Sequence, residues 1–193
     1  FSPDMPGLQV WDCHENKRDG SSFRDAATGK VLFQVKSGID VGRCMAADID
    51  PTNPGIEMWS WESKGLRNIK GEVVNPDIKT FSVNMAVWWD GDLLRELLNK
   101  NVVSKYDWEA GVCKPLVTFE GVVSNNGTKA TPCLQGDILG DWREEVLLRT
   151  EDNTALRLYV SPIATDYRFH TFLEDPVYRI SIATQNVAYN QPT

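Results

Sequence analysis

The feature that most restricts the fold is a recurrence. Pro6-Gly-Leu-Gln-Val-Trp11 returns as Pro54-Gly-Ile-Glu-Met-Trp59, 48 residues on. An acidic-then-apolar element returns again as Arg95-Glu-Leu-Leu98 and as Glu144-Glu-Val-Leu-Leu148. Each of the first three copies is followed by a glycine turn, at Asp25-Ala-Ala-Thr-Gly29, Ile69-Lys-Gly71 and Glu109-Ala-Gly111, with the glycines 42 and 40 residues apart. Between the turns lie short apolar runs, of which Val31/Phe33/Val35 and Leu156/Leu158/Val160 alternate with the period of a half-buried strand. A period of roughly 40–50 residues holding about four strands is the pattern of propeller blades. The expected fold is therefore all-β, a β-propeller of which about four blades are present. Only Asp92-Leu-Leu-Arg-Glu-Leu-Leu-Asn-Lys100 has a helical pattern; Tyr178-Arg-Ile-Ser-Ile-Ala183, like the other apolar runs, reads as a strand.

Copies two to four each carry paired aspartates ahead of the repeated glutamate, whereas residues 1–8 hold only Asp4. The expectation is that the first copy begins inside a blade. Part of a ring leaves open sheet edges, which predicts either a missing N-terminal half or self-association. The net charge of −7 and the lack of a Lys/Arg cluster argue against nucleic acid as a partner. No apolar run approaches the ~18 residues of a membrane span, so no membrane partner is expected. Cys13, Cys44, Cys113 and Cys133 lack C-x-x-C spacing, which argues against zinc or thioredoxin-type chemistry. Three pairings are open to them, but a domain of this length does not require staples, and buried thiols are the favoured state.

The paired aspartates carry the chemistry. Asp48-Ile-Asp50 precedes Glu57, Asp90-Gly-Asp92 precedes Glu96, and Asp137-Ile-Leu-Gly-Asp141 precedes Glu145. Calcium takes six to eight oxygens, and closely spaced carboxylates in a tight loop can supply several of them. None of the three matches the EF-hand spacing. The competing reading is that the aspartates cap turns by accepting from nearby backbone N–H groups. Three repeats of the pattern favour calcium in at least one loop.

Several stretches resemble the family 11 polysaccharide lyases, the bacterial rhamnogalacturonan lyases. They are Phe23-Arg-Asp-Ala-Ala-Thr-Gly-Lys-Val-Leu32, Asp40-Val-Gly-Arg43, Ala47-Asp-Ile-Asp-Pro51 and Trp88-Trp-Asp-Gly-Asp-Leu-Leu-Arg-Glu-Leu97. Further on come Asn125-Asn-Gly-Thr-Lys129, Gly140-Asp-Trp-Arg-Glu-Glu-Val146, Arg149-Thr-Glu-Asp152, Asp175-Pro-Val-Tyr-Arg179 and Gln185-Asn-Val-Ala-Tyr-Asn-Gln-Pro192. The resemblance runs along the whole chain. It implies an eight-bladed propeller that binds several Ca²⁺ ions and holds the polysaccharide in a central cleft, with this chain as its C-terminal half. It also implies a secreted protein, extracellular or periplasmic, that cleaves the rhamnogalacturonan I backbone of pectin by calcium-assisted β-elimination at galacturonate.

By resemblance the catalytic residues are Arg43, Lys129 and Tyr189, with Asn126, Gly127 and Thr128 binding substrate. Pectin is a polyanion and the chain is acidic, so local cations must reverse the sign of the field at the site. Arg43 and Lys129 lie in loops entering the first strand of a blade and meet that need. Either could pair with the sugar carboxylate, Lys129 could act as base if neutral, and Tyr189 could donate to the leaving oxygen or stack on a sugar. The resemblance further implies Asn186 and Asn190 as calcium ligands, and His14 with Glu15 beside a metal. Such a lone His is more often structural, and loop amides more often form turns. The competing function is a non-catalytic calcium-binding propeller module for carbohydrate binding or adhesion.

Overall fold

The computed structural model describes residues 2, 4–62 and 65–187. Among them the chain forms four antiparallel sheets and one short α-helix, an all-β architecture. The first sheet is β1 (Gln9–Cys13), β2 (Ser21–Asp25) and β3 (Val31–Val35). The second is β4 (Cys44–Ala47), β5 (Glu57–Ser60), β6 (Leu66–Arg67) and β7 (Val73–Asn75). The third is β8 (Met85–Val87), β9 (Glu96–Asn99), β10 (Val102–Asp107) and β11 (Val112–Thr118). In these three, strands pair in chain order. The fourth contains β12 (Val122–Val123), β13 (Leu134–Gly136), β14 (Glu145–Thr150) and β15 (Leu156–Tyr159). There β13 and β12 follow one another along one edge of β14, and β15 takes the other edge.

The chain divides into two compact units, Phe1–Val83 with Tyr106–Cys113, and Asn84–Lys105 with Lys114–Thr193. In the first unit the repeated tryptophans act as rungs. The Trp11 indole donates to the Trp59 carbonyl at 3.0 Å, and the Trp59 indole donates to the Ser82 carbonyl at 2.8 Å. Trp59 is fully buried, so its N–H must find a partner inside the protein, and a backbone carbonyl supplies it. Trp11, Phe23 and Met58 form the core here, with Phe33 tilted against both rings. In the second unit Met85, Val87, Trp89, Leu98, Val103, Phe119, Val122, Val146 and Leu148 pack together, and Phe119 stacks on Tyr159 with centroids 4.0 Å apart.

The three turn glycines adopt φ of +72° (Gly29), +82° (Gly71) and +70° (Gly111), the left-handed region that side chains with a Cβ avoid. Their regular spacing thus reflects a backbone requirement repeated in each sheet. All four cysteines are free thiols.

Two expectations are corrected. Residues 92–100 are a tight loop followed by β9, where Leu97 and Leu98 are both buried. The helical spacing there arises because a strand enclosed on both faces is apolar at consecutive positions. Conversely, Pro176–Thr184 is the α-helix α1. Asp175 caps it, its carboxylate accepting from Val177 N at 2.6 Å and Tyr178 N at 3.2 Å, and Pro176 occupies the first turn where its missing N–H costs nothing. The apolar run after Asp-Pro drew the strand reading, although that dipeptide is itself a helix-start signal.

Candidate functional site

One geometry recurs in three sheets. The repeated glutamate is the first residue of the middle strand, and one of its oxygens accepts two successive backbone N–H groups from the acidic loop. Glu57 Oε2 accepts from Ile49 and Asp50 at 3.0 Å each. Glu96 Oε2 accepts from Trp89 at 3.0 Å and Asp90 at 3.1 Å. Glu145 Oε2 accepts from Ile138 at 2.8 Å and Leu139 at 2.9 Å. All three glutamates are buried. The first sheet has Gln9 at the matching position, its amide donating instead to the carbonyls of Pro6 and Gly7. Each glutamate is therefore a clasp that shapes its loop, one oxygen accepting from two backbone donors.

The aspartates cap turns as well. Asp50 accepts from Thr52 N and Oγ1, Asp92 from Leu94 N, and Asp141 from Arg143 N. Turn capping and metal binding are compatible where oxygens are left over, and two loops have them. In the second sheet Glu57 Oε1 is buried with no hydrogen-bond partner, and in the fourth the same holds for Asp137 Oδ1. A buried carboxylate oxygen without a donor is costly unless a cation completes it. Burial accordingly pushes the Glu57 carboxyl up to about 8 and raises Glu145 above the ordinary range. Asp48, Asp50 and Glu57, and Asp137, Asp141 and Glu145, are oxygen donors of the kind a hard divalent ion takes, but among the described residues their oxygens are not drawn together as those of the third loop are. Asp141 also pairs with Arg143 at 2.6 Å.

The third loop differs. Asp90, Asp92 and Glu96 bring one oxygen each within 4.8 Å of one another. The Lys105 ammonium stands among them, bonded to Asp90 Oδ2, to Asp92 Oδ2 at 2.6 Å and to Glu96 Oε1 at 3.0 Å. This donor set, with a cation of the chain's own at its centre, does not fit a further ion.

The residues implied by resemblance lie elsewhere. Arg43 directly precedes β4, and its carbonyl accepts from Trp61 N at 3.0 Å, just beyond β5. Asp48 and Asp50 follow β4. Lys129 likewise precedes β13, while Asp137 follows it. In the first unit, then, Arg43 and the acidic loop lie at opposite ends of β4, and in the second the loop that carries Lys129 joins β12 to β13, which Asp137 follows.

Residues 124–133 form a self-bonded loop in the second unit. Asn125 N donates to the Thr131 carbonyl at 2.8 Å, Asn126 Oδ1 accepts from Lys129 N at 2.7 Å, and the Ser124 hydroxyl donates to the Asn126 carbonyl at 2.9 Å. Asn126, Gly127 and Thr128 are exposed at its tip, and Lys129 is half-buried. Asn186 braces this loop: its amide donates to the carbonyls of Pro132 at 2.9 Å and Cys133 at 3.1 Å, and its oxygen accepts from Asn125. In this structure Asn186 is thus engaged with loop backbone. Tyr189 and Asn190 lie outside the described residues. The His14 ring meets the Ser22 hydroxyl at 3.0 Å and Asp12 at 3.7 Å, and Glu15 is exposed. No third ligand type joins them: among the described residues Asp90, Asp92 and Glu96 are the one gathered set.

Three features escaped the sequence reading. Lys105 is one lysine among many until the strand register places it. Glu144 is buried, accepting from Tyr178 OH at 2.7 Å, Trp88 N at 3.0 Å and the Gln135 amide at 3.0 Å, and it gives no signal apart from Glu145 beside it. Trp61, 68% exposed, lines a hollow of about 480 Å³ together with Glu62, Asp77, Lys79 and Phe81, next to the Arg43 end of β4.

Comparison with known proteins agrees with this layout. The family model for the C-terminal domain of rhamnogalacturonan lyase family 11 matches residues 1–193. The chain is 54% identical over its whole length to rhamnogalacturonan endolyase YesW of Bacillus subtilis (strain 168) and 47% identical to rhamnogalacturonan exolyase YesX of the same organism. It spans about a third of the length of each, 31% and 34%. The crystal structure of rhamnogalacturonan lyase YesW superposes with a TM-score of 0.93 over 98% of this chain and 32% of that one. A Bacillus licheniformis rhamnogalacturonan lyase, 50% identical, gives 0.93 over the same shares. The whole-length match shows that this chain belongs to rhamnogalacturonan lyase family 11, as its C-terminal domain.

Proposed function

We propose that this chain serves, within a longer secreted protein, as part of a rhamnogalacturonan lyase that cuts the pectin backbone by β-elimination at galacturonate. The observation that carries the reading is the family match along all 193 residues. Elimination removes the C5 proton of galacturonate and expels the oxygen on C4, leaving a double bond between C4 and C5. Negative charge grows on the sugar carboxylate as the proton departs and has to be offset by cations. Arg43 supplies a fixed guanidinium for that carboxylate, and Lys129 is assigned to the C5 proton. Tyr189 donates to the departing oxygen. Asn126, Gly127 and Thr128 bind sugar hydroxyls from the exposed loop tip, and Trp61 gives a sugar ring an apolar face to stack on. Because Asn186 bonds the Pro132 and Cys133 carbonyls, we assign it to positioning this loop.

The four sheets are proposed to be blades of a propeller completed by further chain. Antiparallel sheets of three or four strands at a regular period support this, as does the outer face of β15 and the residue after it, where Leu156, Leu158 and Val160 are exposed at 60%, 44% and 44%. Such a row calls for a covering surface, and the remaining two thirds of a protein as long as the relatives would supply one. Ca²⁺ would be held by Asp48, Asp50 and Glu57 and by Asp137, Asp141 and Glu145; bound there it would supply charge that neutralises the buried carboxylates. Since the Glu57 clasp lies beyond the end of β4 away from Arg43, an ion there would stiffen the sheet.

The test is product formation by the full-length protein on rhamnogalacturonan I, followed by the ultraviolet absorbance of the unsaturated sugar. Wild type should form it. Arg43→Ala and Lys129→Ala should lower kcat/KM by on the order of 10²-fold or more, whereas Trp61→Ala should chiefly raise KM. A full-length protein that binds the polysaccharide in calcium but yields no unsaturated product would favour the adhesion module.

A further inference from the structure

Three sheets share the clasp, so their strand registers can be compared position by position. In the third sheet Leu97 pairs with Ser104, which sets Lys105 opposite Glu96 one step on. In the second, Met58 pairs with Arg67, which sets Asn68 opposite Glu57. In the fourth, Val146 pairs with Tyr159, which sets Val160 opposite Glu145. The residue facing the clasp is thus a lysine in one sheet and an uncharged residue in the other two. The Asn68 side chain is moreover turned into its own hairpin, accepting from Lys70 N and Glu72 N. The orphaned oxygens follow the same division. Glu57 Oε1 and Asp137 Oδ1 are buried without partners in the sheets that lack the lysine, whereas Glu96 Oε1 receives the Lys105 ammonium at 3.0 Å.

We propose that Lys105 is a built-in substitute for a divalent ion: its ammonium occupies the cation position of the third acidic loop and keeps that loop shaped without metal. A primary ammonium suits the place, having three donors and three facing carboxylates, Asp90, Asp92 and Glu96. Its four-carbon stem reaches the loop from the adjacent strand, and its side chain is 23% exposed, so the pair is only partly screened. Being covalently attached, the cation is present at full occupancy whatever the calcium concentration, and it adds no entropy cost of capture. The inference does not rest on the second and fourth loops binding calcium; it concerns only what fills the third.

Three measurements on the full-length protein decide it. Lys105→Met leaves three carboxylates without a cation in a pocket of similar volume. After desalting from Ca²⁺, the variant should retain about one more calcium ion per chain than wild type by elemental analysis. Its melting temperature in a calcium chelator should drop below that of wild type and recover when Ca²⁺ is added. Crystals of the wild type soaked in Mn²⁺ should show no anomalous peak among Asp90, Asp92 and Glu96. A wild-type peak there, with Lys105 displaced, overturns the proposal, as does a soluble Lys105→Met protein with unchanged ion content. If the variant folds in neither condition, the wild-type soak alone decides. If the wild type holds no calcium anywhere, the calcium part of the functional proposal fails, while a gained ion in the variant still supports this one.

Discussion

At the scale of single residues, the two oxygens of one glutamate stand in different surroundings. Glu57 uses Oε2 to clasp the loop and leaves Oε1 buried and unpartnered. Without metal, desolvation lifts its carboxyl from an ordinary 4.5 to about 8. A folded-state value raised above the unfolded one contributes stability that is complete below the unfolded value and lost as pH rises through the folded one. Calcium-free protein should accordingly lose stability between about pH 5 and pH 8, and Glu57→Gln should flatten that slope in urea titrations. Calcium binding near pH 7 should release a proton, since the ion takes the deprotonated carboxylate. Calorimetry in buffers of different ionisation heat reads this directly; a heat independent of the buffer would show that no proton leaves.

At the scale of elements, the sequence made plain whatever repeats and concealed whatever occurs once. The glycine turns, the alternation in β3 and β15 and the glutamates that open β5, β9 and β14 recur, so periodicity exposed them. Lys105, Glu144 and α1 occur once, and each depends on a partner distant in sequence or on a local cap. The double burial of β9 defeated a period-based reading outright, because Leu97 and Leu98 are both enclosed. Arg43 and Lys129 were located by resemblance rather than by any pattern in the chain. Two substitutions grade the elements by what supports them. Trp59→Ala removes a fully buried ring and its bond to Ser82, and should cost about 3–5 kcal/mol. Asp175→Ala removes only the cap of α1 and should cost about 1 kcal/mol. Chemical denaturation of both variants checks the ranking; equal losses would mean that the helix is more than an appended anchor.

At the scale of the whole molecule, the row Leu156, Leu158 and Val160 should behave oppositely in two settings. In the isolated 193-residue chain it is exposed, so the chain should self-associate on size exclusion and Leu156→Ser with Leu158→Ser should shift it toward monomer. In the full-length protein the same pair of changes should destabilise by about 2 kcal/mol per leucine, because the row is then covered. A full-length protein indifferent to them would mean that nothing packs there. The strand-end layout has a different consequence. The clasp that holds the second acidic loop makes no use of Arg43, which stands ahead of β4, so the shape of that loop and the chemistry proposed for Arg43 can be altered separately.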